Sequence, residues 1–266
     1  VYIGGQGMRA LIDGDEALFK ACVIRQEAVD WDSGSSETRL PTYDEALDTF
    51  ESLIESWTRD AGCDTYLLCL SPTDRKLFRR GVSPTYKTDR SPKPVHFWEL
   101  LTHAQSEHEC RTIPGLEADD VMGVMSGEGR VIVSSDKDML TVPGRYWSPL
   151  KGSGGIVSPA RADYQWMLQT LTGDSADGYP GCPGIGKKKA EDALIGRWPQ
   201  WGVVEDLFVA QYAKRQLGDR QAAIAAMEEQ AKLARIVRPG DYDNGQKTIH
   251  YRIGDKRVRI KTDHAQ

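Results

Sequence analysis

The chain has 266 residues, of which 39% are hydrophobic and 27% charged, with a formal net charge of −5. This balance excludes a disordered chain and, taken alone, argues against a non-specific nucleic-acid binder, and the lack of any run of about 18 apolar residues excludes a membrane-spanning helix. Five cysteines (22, 63, 69, 110, 182), an odd number with no C-x-x-C pair, argue against a zinc ribbon or a disulfide framework and point to a reduced, intracellular, cytoplasmic protein. No secretory signal opens the chain, and Val1 to Gly7, ahead of Met8, are expected to be a cloning remnant outside the fold.

Taken in order, Met8 to Ile12 reads as a short buried strand ending at Asp13. A helix is expected over 15–29 and a polar loop from Trp31 to Leu40. Thr42 and Glu45 form a capping box, after which Ala46, Leu47, Phe50, Leu53, Ile54 and Trp57 share a helical face until Gly62. Thr65 to Leu70 is an apolar strand. Residues 71–93 read as irregular and basic, 94–108 as helix, and 117–126 as helix. Val131 to Ser135 is a further buried strand, and Arg145 to Ser148 suits an edge strand. Apolar strands alternating with helices predict an α/β fold with a parallel sheet covered on both faces. Beyond residue 160 the pattern turns helical, over 163–172, 187–196, 203–217 and 219–236. A hairpin closes it, Thr248 to Ile253 and Lys256 to Lys261 about Gly254-Asp255.

The best strands run into aspartates. Asp13 follows the first, Asp74 lies shortly after the second, and Asp136 follows the third. Ligands of parallel sheets sit beyond the carboxyl ends of the strands, so three carboxylates are expected at one edge. Asp136 and Asp138 face the same way in extended chain, and Glu117, Asp119 and Asp120 occupy a first helical turn. Any one of these acids alone reads as a solvated surface residue. As a set they follow apolar strands, and two carboxylates about 5 Å apart repel by roughly 3 kcal/mol at an effective dielectric near 20. Gathering them calls for cations, and an all-oxygen set suits Mg²⁺ or Mn²⁺ rather than zinc. Two such ions about 4 Å apart suit phosphoryl chemistry.

Directly after Asp74, seven basic residues (75, 76, 79, 80, 87, 90, 93) stand against the single acid Asp89. The stretch reads either as a solubilising loop or as a grip on a polyanion beside the acids. Tyr86, Phe97 and Trp98 could stack on bases or fill the core, the latter favoured for Phe97 and Trp98. Gly181-Cys-Pro-Gly-Ile-Gly-Lys-Lys-Lys189 lacks the hydroxyl and the preceding strand of a P-loop. It suits a glycine turn whose backbone N–H groups approach a DNA phosphate at a helix N-terminus, or an ordinary turn.

Leu11-Ile-Asp-Gly-Asp15, Gly115-Leu-Glu-Ala-Asp-Asp120, Ser134-Ser-Asp-Lys-Asp138, Thr172-Gly-Asp-Ser-Ala-Asp-Gly178 and Gly181-Cys-Pro-Gly-Ile-Gly186 occur in the order of the flap endonuclease/5′-nuclease family. The chain resembles that family over residues 8–197, and most of all its phage-encoded 5′–3′ exonucleases. The resemblance implies a PIN-like nuclease core over 8–160 with a basic gateway segment at 75–114. It implies a helix–three-turn–helix DNA-binding region with the C-terminal hairpin over 161–266. Carried over, the metal ligands are Asp13, Asp74, Glu117, Asp119, Asp120, Asp136, Asp138, Asp174 and Asp177, of which Asp13, Asp119 and Asp136 count with Lys87 and Arg90 as catalytic. Asp15 falls outside the pattern and is expected to be peripheral. The DNA-binding set is Phe19, Arg79, Tyr86, Lys87, Arg90, Gly184, Gly186, Lys187 and Lys188, with Tyr86 starting the gateway helix. Two Mg²⁺ or Mn²⁺ ions are implied, and K⁺ at the glycine turn.

The activity so implied is metal-dependent hydrolysis of DNA near 5′ ends, at duplex ends, nicks or flaps, with RNA-primer removal included. Residues 75–114 are short for a closed arch, which favours exonuclease action. Two other readings stand beside it. A non-catalytic DNA-junction module would have lost acids, and none of the core acids is lost. A PIN-type ribonuclease usually lacks the glycine turn.

Overall fold

The computed structural model describes residues 7–24, 26–30, 35–74, 76–196 and 201–262. Strand β1 (Arg9–Asp13) runs straight into helix α1 (Gly14–Val23), followed by β2 (Gln26–Asp30), β3 (Ser35–Arg39) and α2 (Tyr43–Asp60). Then come β4 (Thr65–Cys69), α3 (Phe78–Val82), α4 (Phe97–Glu107), β5 (Cys110–Arg111), α5 (Ala118–Met125) and β6 (Arg130–Val133). A 3₁₀ turn (Lys137–Thr141) leads to β7 (Gly144–Ser148) and β8 (Ser153–Val157). The helical part holds α6 (Pro159–Thr172), α7 (Lys187–Leu194), α8 (Trp201–Arg215) and α9 (Arg220–Ala234), and the chain returns through β9 (Tyr242–Asp243), β10 (Thr248–Ile253) and β11 (Lys256–Lys261).

Six strands form one sheet in the order β5-β4-β1-β6-β7-β8, parallel except for the antiparallel β7–β8 pair. Ile12 lies level with Leu68 on one side and Val133 on the other. Alternation along β1 sends Ala10 and Ile12 to a core with Leu18, Phe50, Ile54 and Leu100 of α1, α2 and α4. Leu11 points to the opposite core, with Val121 and Met122 of α5 and Ile236, Val237 and Ile249. Burying a side chain such as Phe50 fully contributes about 1.5–3 kcal/mol. A third core, around Trp166, Leu171, Phe208 and Met227, holds α6 to α9 together. The capping box is present: Glu45 N–H donates to Thr42 Oγ1, and Thr42 N–H to Glu45 Oε2 at 2.8 Å.

The C-terminal segment closes the second face of the sheet. Gly123 of α5 meets the Val237 carbonyl so closely that a Cβ there would stand 2.1 Å from it. Ile249, Ile253 and Val258 of the hairpin are buried, while Arg257 and Arg259 stay exposed. Among the described residues, all five cysteines are free and no helix is long and apolar enough to cross a membrane.

Several expectations need correction. The helix expected over 15–29 stops at Val23, and 26–30 instead pairs with 35–39 as a hairpin inside the supposed loop. Residues 31–34 lie outside the described residues, as does Arg75. Strand β7 is not an edge: β8 covers it, a strand exposed at every position but Val157 and so without apolar alternation. The irregular 71–93 stretch contains α3. Residues 84–89 are turns, and the next helix starts at Phe97 rather than at Tyr86.

Candidate active site

Because β1 lies between β4 and β6, Asp13 at its end stands beside the segment leaving β6. Asp13 caps α1: its Oδ1 accepts the Glu16 N–H at 3.0 Å, and its Oδ2 accepts the Ser134 hydroxyl at 3.1 Å. Ser134 Oγ in turn accepts the Asp136 N–H at 3.1 Å, and Asp136 Oδ1 accepts the Asp138 N–H at 2.8 Å. Gln169 of α6 donates to Asp138. This chain fixes three carboxylates on two strand ends. Helix α5 adds Glu117 and Asp119 from its start. Asp13, Glu117, Asp119 and Asp136 line one cleft of about 400 Å³, with Phe19, Lys87 and Arg90 on its walls.

Charge in this cleft is poorly compensated. Burial, then the charges of Asp15 and Glu16, pushes the Asp13 carboxyl up to about 7. Asp119 rises well above the usual carboxylate range, through burial and then through Asp13 and Asp136. Asp136 rises as the surrounding protein desolvates it, although it still meets solvent at the mouth. Asp138 reaches about 7 through burial and then through Asp136, Asp177 and Asp174. Four carboxylates therefore resist ionising together.

Their neighbours are neutralised. Burial opposes the charge on Glu117, but Lys87 and Arg79 outweigh it and hold the carboxyl at about 2. Lys87 Nζ lies 2.7 Å from Glu117 Oε1, while Arg79 Nη1 and the Tyr86 hydroxyl each donate to Oε2 at 2.9 Å. Asp177 sits 3.3 Å from both Lys87 Nζ and Arg90 Nη2. Asp174 accepts Lys137 Nζ at 2.6 Å and the Ala176 N–H at 2.8 Å. Lys87 has φ +53, a left-handed backbone that costs a non-glycine residue about 1 kcal/mol or more, and its N–H donates to the Asp177 carbonyl at 3.1 Å. Strain here aims the ammonium between Glu117 and Asp177.

Some expected residues fall elsewhere. Asp120 is fully buried: Arg79 binds both its oxygens, at 2.5 and 2.8 Å, and Oδ1 also accepts the Val237 N–H at 3.1 Å. Arg79, expected at DNA, is 1% exposed, and its remaining donors go to the Leu233 and Arg235 carbonyls. Tyr86, also expected at DNA, is buried with its hydroxyl on Glu117 and Asp177. Neither can reach a nucleotide from these positions. Asp74 is exposed, away from the cleft lining, and accepts the Lys76 N–H. Asp15, expected to be peripheral, lines the cleft and accepts the Ser71 N–H at 3.2 Å.

Phe19 stands 46% exposed at the rim, and Trp98 is exposed while Phe97 is core. Gly184 and Gly186 shape the turn before α7, with Lys187 and Lys188 exposed on its first residues. Gly181, at φ +71, is pinned by its N–H to Gln230 Oε1 at 2.8 Å. Ser134 and Gln169, which orient the acids, were not singled out from the sequence. Ser134 sat in view inside Ser134-Ser-Asp-Lys-Asp138, whereas nothing around Gln169 marks it.

A model of the 5′–3′ exonuclease N-terminal resolvase-like domain matches residues 8–151. The exodeoxyribonuclease of Enterobacteria phage T3 is 32% identical over 193 residues, 66% of this chain and 63% of that protein. The exonuclease of Escherichia phage T7 is 32% identical over 201 residues, 69% of this chain and 65% of that protein. This chain thus spans less than two thirds of the length of either relative. In fold it is similar to the T5 D15 protein co-crystallised with metal ions, at a TM-score of 0.61 and 17% identity over 86% of this chain and 89% of that one. A bacteriophage T5 D15 flap endonuclease pseudo-enzyme–product complex with DNA and metal ions gives 0.54 and 16% over 85% and 90%.

Proposed function

The chain belongs to the 5′–3′ exonuclease family, and from that premise we propose that it is a structure-specific 5′-nuclease hydrolysing DNA phosphodiester bonds from or near 5′ ends with divalent cations. One observation carries the reading: Asp13, Asp119, Asp136 and Asp138 crowd one sheet edge with their charge uncompensated, beside cations that already have partners. A site costly to ionise alone becomes favourable when divalent ions fill it.

The donor set fits such ions. Every candidate ligand is a carboxylate oxygen, the choice of Mg²⁺ or Mn²⁺. Two buried oxygens near Asp138, Gln169 Oε1 and the Tyr179 hydroxyl, have no hydrogen-bond partner among the described residues, polar groups that a bound ion's water could satisfy. Asp13, Glu117, Asp119 and Asp136 would hold one ion, and Asp138, Asp174 and Asp177 a second. Bound there, such ions would lower the pKa of water and offset charge on the departing 3′ oxygen.

The chain's own groups do the rest. Arg90, half exposed at the mouth, offers its free guanidinium donors to the scissile phosphate. Lys87, on the wall of the cleft and already shared between two carboxylates, positions Glu117 and Asp177. The Phe19 ring offers a stacking face to a terminal base. The turn Gly181 to Gly186 and Lys187 and Lys188 hold duplex phosphates behind the cut without reading sequence. Such contacts suit duplex ends and nicks, which supports exonuclease action ahead of flap cleavage. End-labelled blunt, nicked and flapped duplexes, incubated with Mg²⁺ or with EDTA, test this. Release of short 5′ products only with Mg²⁺ is expected, and binding without cleavage under both conditions would overturn it.

A further inference from the structure

Far from the acids, a different donor set is assembled. Glu51 lies midway along α2, His103 near the end of α4, and His108 just after it. Glu51 Oε1 is 3.0 Å from His103 Nε2 and 2.9 Å from His108 Nε2, and the three potential ligand atoms all lie within 4.8 Å of one another. Behind them, His108 Nδ1 meets the Tyr66 hydroxyl at 2.9 Å. Tyr66 lies in the first half of β4, whereas the nuclease acids gather at the opposite, carboxyl ends of the strands.

We propose that Glu51, His103 and His108 form a second metal site, for a borderline-soft divalent ion of the Zn²⁺ class. Two imidazoles and one carboxylate are a donor set zinc favours, and they leave one position for water. This chemistry differs from that of the all-carboxylate cleft, which selects harder ions. The Tyr66 contact supplies the outer support such sites need, because a metal-bound histidine fixes its ring through the other nitrogen. Proton balance is simple. In the metal-free hydrogen-bonded arrangement each Nε2 presents its proton to Glu51. On binding, Nε2 of both rings takes the metal and each neutral imidazole keeps its one proton on Nδ1, where that of His108 donates to the Tyr66 oxygen, which serves as acceptor. His108 is nearly buried, while Glu51 and His103 keep enough exposure for an ion to enter. Once bound, the ion cross-links α2 to the end of α4 over the core that both helices cover.

Calorimetric titration of Zn²⁺ into the full chain, with excess Mg²⁺ holding the carboxylate cleft, tests the site. One Zn²⁺ equivalent is expected, weakened about 100-fold or more by His103→Ala and by Glu51→Gln. Tyr66→Phe should weaken it about tenfold. X-ray absorption of the zinc complex should show nitrogen and oxygen neighbours near about 2.0–2.1 Å, with the nitrogen share reduced in His103→Ala. Zinc affinity unchanged within about twofold in both His103→Ala and Glu51→Gln would overturn the proposal, because loss of a side chain that touches the metal costs far more than that. If Glu51→Gln fails to fold, His103→Ala carries the test, its ring being partly exposed where that of His108 is nearly buried. Mg²⁺-dependent cleavage should be the same in His103→Ala and in the unsubstituted chain, so the result is separable from the nuclease reading.

Discussion

The acidic edge of this molecule has two halves built from the same residue types. In one, Glu117, Asp120 and Asp177 are saturated by Arg79, Lys87, Arg90 and Tyr86, and Glu117 is held ionised far below its usual range. In the other, Asp13, Asp119, Asp136 and Asp138 face one another, and their carboxyls resist ionisation. The first half is a buried salt-bridge network that shapes the site, its carboxylates already shared with protein cations. The second is destabilised until cations arrive. On the proposed reading, ions belong in the half whose carboxylates have no ion pair among the described residues, and the paired half keeps that half in register.

The largest test strikes the unpaired half. Asp136→Asn removes one carboxylate charge from the cleft and keeps its shape. Cleavage of an end-labelled nicked duplex in Mg²⁺ should fall about 1,000-fold or more, roughly 4 kcal/mol in the barrier. DNA affinity in a gel-shift assay should stay within about threefold, since phosphate contacts set it. Full activity would remove Asp136 from the site.

Next in size is a blow to the paired half. Arg79→Met leaves Asp120 buried without its partner, which costs about 3–5 kcal/mol. Urea unfolding should register that loss, and adding Asp120→Asn should return part of it, because the orphaned charge goes with it. A loss under about 1 kcal/mol would mean that solvent reaches Arg79 and that the burial is wrong.

Acidity separates the halves by sign. The Asp13 carboxyl holds its proton to about pH 7 when folded, whereas in the unfolded chain it ionises near its ordinary 3.8. Between those values the folded state binds more protons, so metal-free stability falls as pH rises through this window. From pH 5 to pH 7 the drop is about 2–3 kcal/mol for one such group. Glu117 works the other way. Its folded carboxyl stays ionised to about 2, so its contribution is present above its usual 4.5 and is lost on acidification. Unfolding followed in EDTA should therefore show stability declining toward neutral pH, and excess Mg²⁺ should flatten the decline. A decline that persists in Asp13→Asn and in Mg²⁺ would place the titration elsewhere.

How legible these features were in the sequence follows from where their causes lie. Buried parallel strands announce themselves as apolar runs, so β1, β4 and β6 were readable, as were the acids behind β1 and β6, whereas Asp74 behind β4 lies away from the cleft. The capping box at Thr42 and the Gly254-Asp255 hairpin are local chemistry, and both are present. The β2–β3 hairpin, Gln-Glu-Ala-Val-Asp against Ser-Ser-Glu-Thr-Arg, has no alternation to find. The division within the acids was also hidden. Asp119 and Asp120 differ by one helical position, about 100° of rotation, and that turn sends one into the cleft and the other onto Arg79. Arg79 and Tyr86 lie in a basic, exposed-looking stretch, and only carboxylates more than 30 positions away draw them inside.

The smallest effect belongs to neither half and shows whether grip and chemistry are separate. Lys187 and Lys188 are exposed at the start of α7, where unpaired helical N–H groups and two ammonium charges face outward together. If they neutralise duplex phosphates, each contributes one released counterion. Lys187→Ala combined with Lys188→Ala should then lower the slope of log affinity against log salt by about 0.9 per lysine. Affinity at moderate salt should fall about three- to tenfold, and single-turnover cleavage at saturating enzyme should stay the same. An unchanged slope would move the duplex off α7. A slower single turnover would instead mean that the turn also positions the scissile phosphate, and that the paired and unpaired carboxylates act on a substrate placed from behind.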